Sequence, residues 1–431
     1  MRVLHITAHL GGGVGRILSR LCEAAHRDQD GVVHTIACLE PPQKTGAVEH
    51  ARRFGAEVVC APDADQLDAL VREADIVQLE WWHHPVTARW MGEAGHRPMR
   101  LIIWSHVSGL SVPTLPAGFL ALPHRFLLSS TCSLGLEPIA HLTPEARARV
   151  DVVFSAAGFD DFPAPSARGD DTPLRIAYIG SLNPAKCHPD LLDFVAAVEA
   201  PDFRLDLYGD PVNAPALQAA ATARGLSGRI AIHGYHHDVI SLLAGTDVFA
   251  YPLNPCHYGT AENALLEAMA MGVVPVVLDN PAERVLVEHG RTGCIVRNAR
   301  EFGDTISLLS RDPALRRRLG AEAAREVRTR FSLSAMSTAL RRHYRAVMNE
   351  AKRPMDFRAV FGPTPADWFR ACQGDEAGRF ADTSAGALSS SDTPPPHLLE
   401  RTKGSVFHFH ETFPDDPRLA DWARALASCA P

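Results

Sequence analysis

The stretch Thr260-Ala261-Glu262-Asn263-Ala264-Leu265-Leu266-Glu267-Ala268-Met269-Ala270-Met271-Gly272-Val273-Val274-Pro275-Val276-Val277 decides the fold. Thr260 is a good N-cap, residues 261–271 favour helix, and Gly272 stops that helix. The β-branched run that follows has no polar alternation, as a strand buried on both faces requires. A helix that turns directly into such a strand is half of a βαβ unit, the repeating piece of a parallel sheet.

Working outward, the same alternation recurs along the chain. Strand-like runs lie at Val3–Ala8, Val32–Leu39, Glu57–Ala61, Ile76–Leu79, Leu101–Trp104, Phe126–Ser129 and Val152–Phe154, separated by amphipathic stretches. Residues 162–173 (FPAPSARGDDTP) break the pattern with three prolines and a glycine, which suits a linker. A second series follows at Leu174–Ile179, Arg204–Tyr208, Ile230–His233, Val248–Tyr251, Val273–Leu278 and Cys294–Val296. Helices over Pro313–Arg330 and Ser334–Asn349 close it. The reading is an α/β chain with one Rossmann-like domain over 1–165, a second over 172–332, and a closing helix over 333–350 that packs back on the first. Residues 351–431 form an extension, with a flexible Ser/Pro-rich linker at 383–396, a strand at Val406–His410 and a helix at Pro417–Leu426; the catalytic unit is expected to end near Asn349.

Composition narrows the function. The 431 residues are 46% hydrophobic and 22% charged, enough for two or three folded domains, which excludes wholesale disorder. Forty-three Lys plus Arg against fifty Asp plus Glu leave a net charge of −7 with no long single-sign run, so composition offers no argument for nucleic acid. No apolar run approaches the roughly 20 residues of a membrane span, and no signal peptide is read at the N-terminus. Nine scattered cysteines without a C-x-x-C pair suit a reducing compartment better than a disulfide framework or a zinc site. The expectation is cytoplasmic, with peripheral association at the inner membrane face left open.

Three segments carry chemistry. Gly11-Gly12-Gly13-Val14-Gly15-Arg16 lies between the first strand and a helix from Ile17 to Ala25, where backbone amides can approach an anion or a sugar. As a dinucleotide fingerprint it fails in both registers, Arg16 or Leu18 standing where the third glycine belongs. Glu40, ending the second strand, keeps a nicotinamide reading open, and a tight structural turn is the plain alternative. Gly180-Ser181-Leu182-Asn183-Pro184-Ala185-Lys186 follows the first strand of the second series; Lys186 suits a diphosphate or is an ordinary surface lysine. In the third segment, Asn263 and Glu267 are spaced i, i+4, about 6 Å apart along one helix face. A phosphate at the helix N-terminus would leave Glu267 near ribose hydroxyls, the alternative being a pairing with a cation. Asp63-Ala64-Asp65 reads as a helix cap, and His408-Phe409-His410-Glu411 specifies no third ligand for a metal.

At these segments the chain resembles the retaining, GT-B-fold glycosyltransferases of the group 1, or family 4, type. The resemblance spans roughly residues 1–350 and is strongest over 174–296. Gly180, Leu182 and Lys186 match a strand-end Gly-Arg-Leu with a following Lys, Ser181 replacing the Arg. Glu267-Ala268-Met269-Ala270, Gly272, Pro275 and Val276 match the second half of an E-x7-E motif, with Gly259 at its first acid and Glu262-Asn263 as the variant. Glu288 and Gly290-Arg291-Thr292-Gly293 match a turn of the family.

The resemblance implies two Rossmann-like domains facing a central cleft and transfer of a sugar, hexosyltransferase-like, from a nucleotide-sugar to an acceptor hydroxyl. Lys186, His106 and Glu267 would be catalytic, His106 also being readable as a core histidine. Gly13, Gly15, Gly180, Ser181, Thr260, Glu262, Asn263 and Glu267 would bind the donor. Arg16, Trp81, Trp82 and His83 would face an acceptor, whether glycan, lipid-linked, peptide or small molecule. No metal and no cofactor is expected beyond the nucleotide-sugar co-substrate. A sugar-nucleotide epimerase or hydrolase and a non-catalytic partner subunit are the alternatives.

Overall fold

Among the described residues of the computed structural model, thirteen strands form two parallel sheets. The first contains β1 (Arg2–Thr7), β2 (Val33–Cys38), β3 (Glu57–Cys60), β4 (Ile76–Trp81), β5 (Leu101–Ser105), β6 (Arg125–Leu128) and β7 (Val150–Val152), in the order 3-2-1-4-5-6-7. The second contains β8 (Ile176–Ile179), β9 (Leu205–Tyr208), β10 (Ile230–Gly234), β11 (Val248–Tyr251), β12 (Val274–Leu278) and β13 (Cys294–Val296), in the order 10-9-8-11-12-13. Each sheet reverses its order once, between β1 and β4 and between β8 and β11, and open sheets of this kind bind ligands beyond the strand ends at that reversal. The strand expectations hold to within about two residues.

The structure describes residues 1–42, 44–94, 96–156, 158–165, 174–200, 202–381 and 393–429. It divides into one unit of Met1–Ala157 with Leu333–Pro431 and a second of Gly158–Ser332, so residues 158–165 belong with the second domain rather than the first. Most of the expected linker at 162–173, and the flexible stretch up to residue 392, lie outside the described residues.

Strand alternation sorts the core of the first unit by face. Leu4, Ile6, Val77, Leu79, Trp81, Ile103 and Phe126 line one face of the sheet, while Val3, Ile76, Ile102, Trp104 and Leu127 line the other. The helix Leu333–Met348 covers the second face through Met336, Leu340, Tyr344 and Val347. The first face is covered by the C-terminal segment: Phe357, Trp368, Phe369, Phe407, Phe409, Leu419 and Trp422 are buried in the same core as the strands. Residues 351–431 are therefore no appendage to a unit ending near Asn349. Their aromatic residues sit in short, turn-separated helices, whose low periodicity hid the core they build.

Three local expectations change. The first helix is Gly12–Asp28, so the glycine loop is itself the opening turn. Val406–Thr412 is helix, because the Ser405 side chain accepts the His408 N–H as an N-cap and overrides the alternating pattern. His408 and His410, two residues apart on a helix, do not share a face. The helix expected from Ala261 with a Thr260 cap begins at Asn263, with Glu262 at the cap position in a left-handed conformation (φ +34°). Asp63 does cap Ala64–Glu73, in a reciprocal box with Gln66. Among the described residues no helix is long and apolar enough to cross a membrane.

Candidate functional site

In the second unit, the ends of β8 and β11 and the start of the helix Asn263–Ala270 converge on one carboxylate. Lys186 Nζ donates to Glu262 Oε1 at 2.5 Å, and the Tyr251 hydroxyl donates to Oε2 at 2.8 Å. The Glu262 side chain is only 3% exposed. Burial opposes its charge, yet Lys186, His257 and Tyr251 together hold it below the ordinary carboxylate range. The same burial opposes the charge of Lys186, and Glu262 more than offsets it, raising that pKa. The left-handed turn at Glu262, just before the helix starts at Asn263, accompanies these contacts with Lys186 and Tyr251.

Gly259 now has a physical reason. A Cβ there would lie 1.7 Å from Glu262 Oε1 and 2.5 Å from Lys186 Nζ, so the Glu262 carboxylate fills the room that an acid at 259 would need. Behind it, His257 accepts the Gly259 N–H at Nδ1 (2.9 Å) and bonds the Glu283 carboxylate through Nε2 (3.2 Å). His257, Glu262 and Glu283 form a buried set of metal-ligand type, but the ammonium of Lys186 already supplies the cation beside Glu262.

The rest of this edge is polar and expectant. Asn183 Oδ1, Asn263 Oδ1 and Asn280 Nδ2 are buried without a hydrogen-bond partner, and all three follow the ends of β8, β11 or β12. Buried polar atoms are ordinarily satisfied, so three orphans at one sheet edge mark where a polar ligand would complete the bonding. Glu267 lies half-buried one turn beyond Asn263, and Thr260 is buried just before the turn. Gly180 precedes Ser181, whose carbonyl accepts the Tyr178 hydroxyl at 2.8 Å.

In the first unit the centre is Glu80, which sequence reasoning passed over. Its fully buried carboxylate accepts from His106 Nε2 (2.7 Å), His5 Nδ1 (3.0 Å) and Gln78 Nε2 (2.7 Å). His5 Nε2 in turn bonds His34 Nδ1 at 2.8 Å, and the Tyr344 hydroxyl donates to Gln78 Oε1 at 2.7 Å. Burial opposes the Glu80 charge, but the bonds from His106 and His5 hold its pKa below the ordinary range. Because a carboxylate only accepts, His106 must carry its proton on Nε2, which leaves Nδ1 as an acceptor in the neutral ring. The available signal was the alternation of polar Gln78 and Glu80 with apolar neighbours inside a buried strand.

The expected acceptor set divides. Trp81 is 1% exposed and packs on Phe119, and His83 is buried against Phe409 and Phe369, so neither faces a ligand. The end of β4 lies beneath the C-terminal segment, whose cover could not be anticipated. Trp82 remains half-buried beside His9. Gly13 and Gly15 sit in the first helical turn; a Cβ on Gly15 would lie 2.3 Å from the Leu10 carbonyl oxygen, so this glycine serves close packing. Burial, with Arg20 nearby, lowers the Arg16 guanidinium to about 10.

Two such sheets in one chain define the GT-B class of α/β fold. Residues 173–312 match the family model described as glycosyl transferases group 1, so the resemblance is upheld over that stretch of the second unit. The α-D-kanosaminyltransferase of Streptomyces kanamyceticus is 29% identical over 184 residues, 41% of this chain and 47% of that protein. The lipopolysaccharide core biosynthesis glycosyltransferase LpsE of Rhizobium meliloti (strain 1021) is 29% identical over 146 residues, 33% of this chain and 42% of that protein. The chain thus spans about half the length of the curated relatives it matches. Among solved structures, HepE of Anabaena in complex with UDP and glucose has a TM-score of 0.62 at 17% identity, covering 80% of this chain and 100% of that one. A glycosyltransferase from Rickettsia africae ESF-5 has a TM-score of 0.61 at 15% identity, covering 81% and 99%. These likenesses establish the fold.

Proposed function

We propose that the protein is a retaining, hexosyltransferase-like glycosyltransferase that moves a sugar from a nucleotide-sugar to an acceptor hydroxyl. The observation that carries this reading is the Lys186–Glu262–Tyr251 centre and its three orphaned polar atoms, placed at the reversal of the sheet inside the segment that matches group 1 glycosyltransferases. The relatives are named as sugar transferases, and the HepE structure holds UDP with glucose, which supports a nucleotide-sugar as donor here.

As the glycosidic bond to the diphosphate breaks, positive charge grows on the anomeric carbon and negative charge on the departing phosphate. Lys186 stabilises that phosphate, and Glu262 keeps the ammonium charged and aimed until it is needed. The backbone N–H groups that open the helix at Asn263 favour the same negative charge. Glu267, one turn deeper, accepts from the ribose hydroxyls. In the first unit, His106 Nδ1 is left free to accept from a hydroxyl, with Glu80 fixing the tautomer. The acceptor proton passes to the departing phosphate, so no separate base is needed; retention follows from the family resemblance. Neither metal nor organic cofactor enters this scheme, and a cytoplasmic setting goes with it.

The test is nucleoside diphosphate release from a panel of sugar nucleotides, with and without candidate acceptor sugars, with the product anomer read by NMR. Acceptor-dependent release with a retained anomer supports transfer. Release without any acceptor requirement makes the protein a hydrolase or epimerase, and binding without release makes it a partner subunit.

A further inference from the structure

We propose that His5 and Gln78 are positioning residues for His106: their two bonds to one oxygen of Glu80 hold its carboxylate toward the ring as a pure acceptor, so that His106 keeps its proton on Nε2 and a lone pair on Nδ1. The proposal rests on the transferase reading, in which that lone pair meets a hydroxyl, and it gives a part to two buried side chains that the reading does not use.

Strand parity brings the groups together. His5 follows Val3 by two residues on β1, and Gln78 and Glu80 continue the row of Ile76 on β4, so they extend the sheet face whose apolar part includes Val3 and Ile76. His5 stands opposite Gln78 in the parallel register of the two strands. His106 lies just past β5, two residues beyond Trp104 of the same face. The helix Leu333–Met348, which covers this face, brings the Tyr344 hydroxyl to Gln78. His5, Gln78 and Glu80 are completely buried, whereas His106 keeps some exposure.

An ionised carboxylate only accepts, and this assigns every proton around it. Glu80 Oε1 takes one N–H of Gln78 Nε2 at 2.7 Å and the N–H of His5 Nδ1 at 3.0 Å, while Oε2 takes the N–H of His106 Nε2 at 2.7 Å. With its nitrogen committed to Glu80, the Gln78 amide turns Oε1 toward Tyr344, whose hydroxyl therefore donates at 2.7 Å. His5 Nε2 faces His34 Nδ1 at 2.8 Å with one proton between them. Burial drives His34 well below the usual imidazole range, so that ring is neutral and either gives or takes this proton. In both cases His5 keeps the Nδ1 proton that Glu80 needs. The run of directed bonds ends at His106, whose Nδ1 has no protein partner among the described residues.

What His5 and Gln78 prevent shows why they matter. A carboxyl group buried this deeply tends to take up a proton. A protonated Glu80 would donate its own O–H to His106 Nε2, and the neutral ring would then carry its proton on Nδ1, with no lone pair left there for a hydroxyl. Two N–H donors on Oε1 favour the charged form and leave that oxygen no place for a proton. They also stop the carboxylate from rotating, which leaves Oε2 to His106 alone. Support of the fold by itself asks for none of this: apolar side chains of similar volume serve a buried face as well or better, as Val3 and Ile76 do one step back along the same strands.

The experiment uses the full chain labelled with 15N-histidine, its ring nitrogens read by NMR at neutral pH without ligand, with sugar-nucleotide turnover as a second readout. The wild type should show His106 as the Nε2–H tautomer. His5→Leu and Gln78→Leu, each checked for a native circular dichroism spectrum, should move His106 toward the Nδ1–H tautomer and lower kcat about ten-fold with KM for the donor little changed. His5→Asn, whose amide N–H stands in for the Nδ1–H group, should keep the wild-type tautomer and turnover. An Nδ1–H ring in the wild type overturns the proposal without any variant, whether or not the leucine variants fold. So does a folded His5→Leu protein with the Nε2–H tautomer and full turnover, and so does a His5→Asn protein as impaired as His5→Leu, which would mark His5 as structural only. If no sugar nucleotide is turned over by any form, the transferase reading fails, and the tautomers still decide this proposal by themselves.

Discussion

Each sheet buries one ionised carboxylate near its point of reversal, and the two are stabilised by opposite means. Glu262 is held by charge, an ammonium at 2.5 Å and a phenol at 2.8 Å, at the mouth of an edge with orphaned polar atoms. Glu80 is held by hydrogen bonds from two imidazoles and an amide, linked through Gln78 to the helix Leu333–Met348. The first arrangement keeps a cation ready for an anionic ligand. The second fixes a proton on a chosen ring nitrogen and leaves a lone pair for a hydroxyl. One fold plan thus yields a charge-handling edge and a hydroxyl-handling edge, and the difference lies in the few side chains at the strand ends.

The largest effect should separate the units outright. Deleting residues 351–431 strips the cover from Trp81, Phe119 and Ile103, so the unfolding transition of the first unit should vanish while that of Gly158–Ser332 persists by calorimetry. An unaltered first transition would restore a catalytic unit that ends near Asn349. Next, Lys186→Met leaves Glu262 buried without its cation and should cost about 3–5 kcal/mol by denaturant melts. A cost near zero would mean that Tyr251 and His257 suffice, and would bring the two carboxylates closer in kind.

Acid sharpens the contrast. Burial above all holds His83 to about 3 and His84 to about 2, against an ordinary 6.5. Below about pH 6.5 the unfolded chain binds protons that the folded chain refuses, so stability is full above that value and falls with pH, by about 1.4 kcal/mol per pH unit for each such proton. Glu80 and Glu262, both held low when folded, add a further loss once pH drops below about 4.5 and through their folded values. Urea melts of His84→Gln between pH 7 and pH 4 should show a shallower slope than wild type; equal slopes would mean that His84 titrates normally. The smallest effect is expected at Glu267→Gln, which keeps shape but loses charge and one acceptor oxygen, and should weaken donor use about ten-fold with the melting temperature unchanged. Full donor use in that variant would remove Glu267 from the ribose.

The strands and their order were legible because a parallel sheet buried on both faces writes itself as short apolar runs between amphipathic helices. Lys186, Glu262 and Asn263 were singled out on the motifs that carry the family resemblance, and the structure brings Lys186 and Glu262 together. What stayed hidden depends on contacts between residues far apart in sequence. Glu80 meets His5 across 75 residues, and Lys403 meets His9 across 394. Gly259 looked like a lost acid until the Glu262 carboxylate was seen in its place. Trp81 and His83 looked like sugar-facing aromatics because the segment that buries them lies more than 270 residues downstream.

The central claim is that the Lys186–Glu262 edge binds a nucleoside diphosphate. The direct measurement is the melting temperature of the full chain with UDP, GDP, ADP and dTDP in turn. At about 100 times its dissociation constant the right nucleotide should add roughly 2.7 kcal/mol of stability, and Lys186→Met should abolish the gain. If none of the four raises the melting temperature, or if the gain survives in Lys186→Met, the nucleotide is not bound where this account puts it.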